Sequence, residues 1–365
     1  MSEPNPRLAR LTELGTSIWL DQLHRGLITS GDLARMTTEV CLRGVTSNPA
    51  IFKAAIVGND AYDEQLAGLA RSGADPREIY RALAIEDIQG ACDALLGVWE
   101  ATGHADGFVS FEVDPDLAFD TAQTLTQAKE YWARVDRPNL MIKIPGTDEG
   151  LPAITEALAA GINVNVTLLF AVEQYEKVMH AFIAGMERRL DAGQPLDVHS
   201  VASFFVSRVD TEVDERLGDA HPELLGQAGV ANARAAYAAY ERVIGGEQFA
   251  RLRAAGAPVQ RPLWASTGVK NPAYSDVLYV DELAGPDTVN TMPLDTLHAA
   301  ADHSEVTEAR CTIDPSETLS ALAAAGIDMA DVTATLLTQG VDKFVEPMDA
   351  LLAAIEARSA ELVSA

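Results

Sequence analysis

The chain has 365 residues, with 27 Lys plus Arg against 54 Asp plus Glu, for a formal net charge of −27. That balance excludes a nucleic-acid binder, which needs a basic face to displace counterions from phosphates. Hydrophobic residues make up 48% and charged residues 22%, the proportions of a soluble globular chain and not of a disordered one.

Eight short β-rich runs follow one another, most of them trailed by a helical pattern. In chain order they are Ser17–Asp21, Arg43–Asn48, Gly107–Val113, Asn139–Pro145, Ile162–Leu169, Val198–Val206, Arg261–Ser266 and Asp287–Met292. Amphipathic spacing of apolar residues predicts helices near 74–84, 150–160 and 171–179. Strands alternating with helices imply parallel βαβ units, and eight of them point to a (β/α)8 TIM barrel. An open doubly wound sheet is the alternative, but no glycine-rich phosphate loop follows a strand. The reading is one domain over 1–365, with helical insertions near 209–260 and 302–335.

The N-terminal segment has no apolar core, so no secretory signal is expected. No run of about 18 apolar residues suggests a membrane span. Cys41, Cys92 and Cys311 are far apart, which suits structural thiols in a reducing compartment, and the expected location is the cytoplasm. The histidines form no zinc-binding spacing, so no metal and no cofactor are expected. Nothing in the sequence sets the oligomeric state.

Barrel enzymes place their chemistry at the C-terminal ends of the strands. The polar residues collected there are Asp21, Asn48, Glu112, Lys143, Asn165, Thr167, Ser203 and Ser266. A polar group in a run buried on both faces is costly unless it is paired, so a ring of them asks for an explanation. Only six lysines occur, and Lys143 alone sits inside an apolar strand, Leu-Met-Ile-Lys-Ile-Pro. Burial disfavours an ammonium and so favours the free amine, which can attack a carbonyl and form a Schiff base. The plainer alternative is a lysine that snorkels to water at the strand end. Glu112 and Asp21 offer two carboxylates for the proton transfers of iminium chemistry and of carbon–carbon cleavage; structural ion pairing or helix capping is their alternative. Asn165 and Thr167, two apart, share one strand face, where they could orient water or substrate hydroxyls or simply pack inside the barrel. Arg208, Ser266 and Lys270 could clamp a phosphate dianion. Lys53, Lys129, Lys177 and Lys343 lie in mixed-charge helical contexts and read as solvated.

Several segments together resemble the transaldolase family, specifically its longer bacterial type. They are Gly44-Val-Thr-Ser-Asn-Pro-Ala-Ile-Phe52, Val109-Ser-Phe-Glu-Val-Asp114, Leu140-Met-Ile-Lys-Ile-Pro-Gly-Thr147 and Ile162-Asn-Val-Asn-Val-Thr-Leu-Leu-Phe170, then Ala202-Ser-Phe-Phe-Val-Ser-Arg208, Leu263-Trp-Ala-Ser-Thr-Gly268 and Gly340-Val-Asp-Lys-Phe-Val-Glu-Pro347. The resemblance implies a metal-independent class I aldolase barrel of the pentose phosphate pathway. It moves a dihydroxyacetone unit from sedoheptulose 7-phosphate to glyceraldehyde 3-phosphate, giving erythrose 4-phosphate and fructose 6-phosphate. By the same resemblance Lys143 looks like the Schiff-base lysine, and Glu112 like a carboxylate working through a water held by Thr167. Asp21 looks like the acid/base for carbon–carbon cleavage. Asn48, Asn165 and Ser203 would hold the dihydroxyacetone moiety, and Arg208 and Ser266 the phosphate. Shorter members carry an arginine where this chain has Gly268, and Lys270 is the candidate replacement. A fructose 6-phosphate aldolase and a non-catalytic sugar-phosphate-binding barrel are the rival readings.

Overall fold

Eight parallel strands close on themselves in the computed structural model, which describes residues 3–364. They are β1 (Thr16–Leu20), β2 (Leu42–Val45), β3 (Phe108–Glu112), β4 (Leu140–Pro145), β5 (Val164–Leu169), β6 (Ser200–Phe205), β7 (Gln260–Ala265) and β8 (Thr288–Met292). Neighbours in the barrel are neighbours in sequence, and β8 pairs with β1 from Thr16↔Thr288 to Leu20↔Met292. The expected (β/α)8 TIM barrel is therefore the observed fold.

The apolar alternation explains how each strand serves two cores. In β4, Leu140, Ile142 and Ile144 join the outer core between strands and helices. Met141 faces inward with Trp19, Phe108, Val201, Leu263 and Val289. This inner layer plugs the barrel below the site. Gly44 of β2 leaves room for the Trp19 ring, which a Cβ at that position would strike. The Trp19 indole N–H donates to Asp106 at 2.9 Å, and Arg261 pairs with Asp106 at 3.3 Å beneath it. Once the apolar layer fills the lower barrel, the next inward residue of each strand falls at the mouth.

The observed strands stop short of three expected site residues. Asp21 lies one residue past β1, Asn48 three past β2 and Ser266 one past β7. Asn48 instead caps the helix Pro49–Ile56, accepting from the Ile51 N–H at 3.0 Å, with Pro49 in the first turn. The helix near 74–84 runs much further, over Pro76–Ala101; the other two are Gly150–Ala159 and Val172–Asp191. Segment 209–260 contains most of Ser207–Leu217, then Ala228–Gly245 and Glu247–Ala254. Segment 302–335 contains Ser316–Ala324 and the start of a 36-residue helix, Met329–Ser364.

Among the described residues no single helix is long and apolar enough to cross a membrane. The bent pair Ser316–Ala324 and Met329–Ser364 passes such a test only jointly. It buries Leu322, Val332, Leu336 and Phe344 in the same core as the inner barrel layer.

Candidate active site

Adjacent strands bring Glu112, Lys143 and Asn165 side by side, because Glu112 registers with Lys143 and Lys143 with Asn165. All three are at least 95% removed from solvent. The Lys143 Nζ lies 3.6 Å from Glu112 Oε2 and donates to the Ser47 carbonyl at 3.2 Å. The other five lysines are exposed, whereas Lys143 is only 4% exposed and so does not snorkel to water.

Burial drives the Glu112 carboxyl up to about 7; Lys143 opposes that rise and the nearby Asp21 adds to it. Asp21 is likewise raised, first by its removal from water, against the pull of Lys143, the Thr46 hydroxyl, Lys270 and Arg208. Thr46 donates to Asp21 Oδ1 at 2.6 Å and sits 2.6 Å from the Thr291 hydroxyl. A chain of hydroxyls from β8 thus fixes the Asp21 side chain.

Asn165 is already partnered. Its Nδ2 donates to Ser110 Oγ at 2.9 Å, and its Oδ1 accepts from Ser203 Oγ at 2.7 Å. Thr167, on the same strand face, has a buried hydroxyl with no hydrogen-bond partner among the described residues, and Glu112 Oε2 is in the same state. Two such atoms at a barrel mouth mark a place for a small hydrogen-bonding molecule or substrate hydroxyl. Next to Thr167 the ladder between β5 and β6 slips, and Leu168 adopts φ 60°. A leucine in the left-handed region costs about 1–2 kcal/mol.

A cavity of about 180 Å³ opens above Lys143. Asp21, Asn48, Lys143, Ser203, Arg208, Ser266 and Lys270 all reach its wall. Glu112, Asn165 and Thr167 do not line it; they are buried on the strands beside Lys143. The Arg208 guanidinium stacks over Phe205 at 5.1 Å, and its Nη1 is buried without a hydrogen-bond partner. Burial lowers its pKa, against Asp21 and Glu112. Ser266 takes φ 56°, held where the Ser207 N–H donates to its carbonyl at 3.0 Å and the two hydroxyls meet at 2.8 Å. Lys270 is exposed, and its Nζ would lie 3.9 Å from a Cβ placed on Gly268. Lys143, Arg208 and Lys270 thus face Asp21 and Glu112, so the mouth is not acidic like the chain as a whole.

Four contributors escaped the reading of the sequence: Thr46, Thr291, Ser110 and Phe344. Thr46 and Thr291 were detectable as polar residues two positions from inward Gly44 and Val289. Phe344 comes from the last helix, and its ring centre is 5.6 Å from Lys143 Nζ.

This constellation can be set against known proteins. A family model described as "Transaldolase/Fructose-6-phosphate aldolase" matches residues 18–355. The chain belongs to the transaldolase/fructose-6-phosphate aldolase family. A protein named transaldolase from Mycolicibacterium paratuberculosis is 53% identical over 361 residues, covering 96% of this chain and 97% of that one. Another, from Mycolicibacterium smegmatis, is 52% identical over 360 residues, with the same coverage of each. Among solved structures, a putative fructose-1,6-biphosphate aldolase from Coccidioides immitis is 12% identical with a TM-score of 0.30, covering 91% of this chain and 96% of that one. That likeness is too slight to bear on the fold, which rests on the strand order. The family's matched region runs from β1 into the final helix, so every residue of the mouth lies within it.

Proposed function

We propose that this protein is a transaldolase, a metal-independent transferase acting on sugar phosphates. It moves a dihydroxyacetone unit from sedoheptulose 7-phosphate to glyceraldehyde 3-phosphate through a Schiff base on Lys143. The observation that carries the reading is the Lys143 amine, buried at the mouth 3.6 Å from a carboxyl whose pKa stands near 7. A pure sugar-phosphate binder has no use for such a pair.

The amine attacks the ketose C2 carbonyl, and the carbinolamine loses water to give the iminium. Glu112 exchanges protons in both steps, since its pKa near neutrality lets it give and take them with little driving-force penalty. The Thr167 hydroxyl holds the water that relays them, a role its buried, unpartnered oxygen supports. Asp21 then takes the proton of the C4 hydroxyl as the C3–C4 bond breaks. Erythrose 4-phosphate leaves, and the electron pair stays on the three-carbon unit as an enamine. The enamine carbon bonds to the aldehyde carbon of glyceraldehyde 3-phosphate, and Asp21 returns its proton to the new alkoxide. Water hydrolyses the iminium and releases fructose 6-phosphate.

Asn48, Asn165 and Ser203 hold the dihydroxyacetone hydroxyls. Arg208, Ser266 and Lys270 receive the phosphate, and the unpartnered Arg208 Nη1 supports that assignment. A guanidinium with a free donor suits a phosphate dianion better than an ion pair already made would. Its three buried free thiols support the reducing cytoplasm as its location.

The test is to supply sedoheptulose 7-phosphate and glyceraldehyde 3-phosphate together and follow erythrose 4-phosphate and fructose 6-phosphate by mass spectrometry. The reading expects equal amounts of both products, and none from Lys143→Ala. Free dihydroxyacetone in place of fructose 6-phosphate would make the enzyme a cleavage aldolase instead.

A further inference from the structure

Phe344 stands apart from the rest of the mouth. It is carried by no barrel strand and no strand-end loop, yet it lines the cavity and is only 4% exposed. Its helix is fastened at several points. Near the start, Asp331 pairs with Arg216 of the helix that carries Arg208, at 2.6 Å. Near the end, Arg358 donates to Asp63 at 3.0 Å. Between them Gly340 lets the helix press onto the barrel rim, where a Cβ would come within 3.1 Å of Leu168 Cδ2. The ring over Lys143 is therefore a fixed cover.

What the ring covers follows from the chemistry. In the enamine, the nucleophilic carbon is two bonds from Nζ, roughly 2.5 Å at ordinary bond lengths. A group packed over Nζ is thus packed beside that carbon. The enamine has two fates. It can attack the acceptor aldehyde, which is transfer. Or a proton from water can form the C3–H bond, after which the hydroxide left behind adds to the iminium carbon and the carbon–nitrogen bond breaks. The second path consumes one water and releases free dihydroxyacetone and the lysine amine. A phenyl ring offers water neither a donor nor an acceptor, so water beside it loses hydrogen bonds. Its face also favours the cationic iminium.

We propose that Phe344 is a specificity-determining residue that holds the enamine for the aldehyde acceptor by denying water the side of the intermediate next to Nζ. This rests on the Schiff-base reading of Lys143.

The experiment compares wild type, Phe344→Leu and Phe344→Ala. Each is given fructose 6-phosphate alone, to read dihydroxyacetone release, and fructose 6-phosphate with erythrose 4-phosphate, to read transfer. Each is also reduced with borohydride to map the adduct. The ratio of release to transfer cancels any loss of folded protein, so a merely structural role would not move it. Leucine keeps an apolar side chain of good helix propensity, which guards against an unfolded alanine variant. The proposal expects the ratio to rise about tenfold in Phe344→Ala and by less in Phe344→Leu, with the Lys143 adduct retained. An unchanged ratio in both variants, with the adduct present, overturns the role of Phe344 and leaves the Schiff base standing. A wild type that gives no adduct on Lys143 overturns both.

Discussion

Replacing Glu112 by Gln should make the protein relatively more stable as the pH rises. Burial lifts the Glu112 carboxyl from its ordinary 4.5 to about 7, even with Lys143 beside it. In the unfolded chain the group returns to its ordinary value, so the folded state binds this proton more tightly. The stability it contributes is fully present below about pH 4.5 and is lost as the pH climbs through about 7. The swing of 2.5 pKa units at about 1.36 kcal/mol each amounts to roughly 3 kcal/mol. Glu112 is only 5% exposed, so solvent screening removes little of it. Gln cannot titrate and lacks this dependence altogether. Urea unfolding of both proteins from about pH 4.5 to 8.5 reads the difference directly, provided their m-values agree. The gap between the two curves should shift toward the Gln variant by roughly 3 kcal/mol across that range. Parallel curves would mean that Glu112 is an ordinary low-pKa ion-pair partner, and its place as a near-neutral proton shuttle would fall.

Thr167→Val removes a buried hydroxyl that has no partner. Stability should hold or rise by about 1 kcal/mol, while kcat falls about 100-fold through the lost proton relay. Normal kcat with lost stability would reverse that assignment. Arg208→Ala should raise KM for phosphorylated substrates about 10- to 100-fold, the worth of a charge-assisted hydrogen bond, and leave unphosphorylated acceptors unaffected. Lys270→Ala should act in the same direction but more weakly, because its side chain is exposed. A KM unmoved by the Lys270 change would leave it a surface residue, and Gly268 without a replacement.

The barrel was legible because strands buried on both faces read as apolar runs, and any polar residue in them stands out. Lys143 and Glu112 are visible for that reason, and their strand register then sets them next to each other. Asp21, Asn48 and Ser266 line the cavity, but their strands end before them. The turn geometry that ends a strand, such as the left-handed Ser266, leaves no periodic trace in a serine-containing segment. For Asn165 the sequence leaves open a pocket-facing amide or interior packing; its ties to Ser110 and Ser203 are a pairing across three strands that only closure of the barrel creates. Phe344 lies in a segment that carries the family resemblance, but its place in the mouth could not be read. A phenylalanine at helical spacing signals core, and nothing local shows that its helix returns over the mouth.

One covalent bond decides the mechanism. Incubating the protein with fructose 6-phosphate, reducing with borohydride and mapping the product by peptide mass spectrometry asks where the sugar is held. A dihydroxyacetone-derived adduct on Lys143, and none in Lys143→Ala, is the predicted result. No adduct, or an adduct on another lysine in an enzyme that still transfers the three-carbon unit, would contradict it.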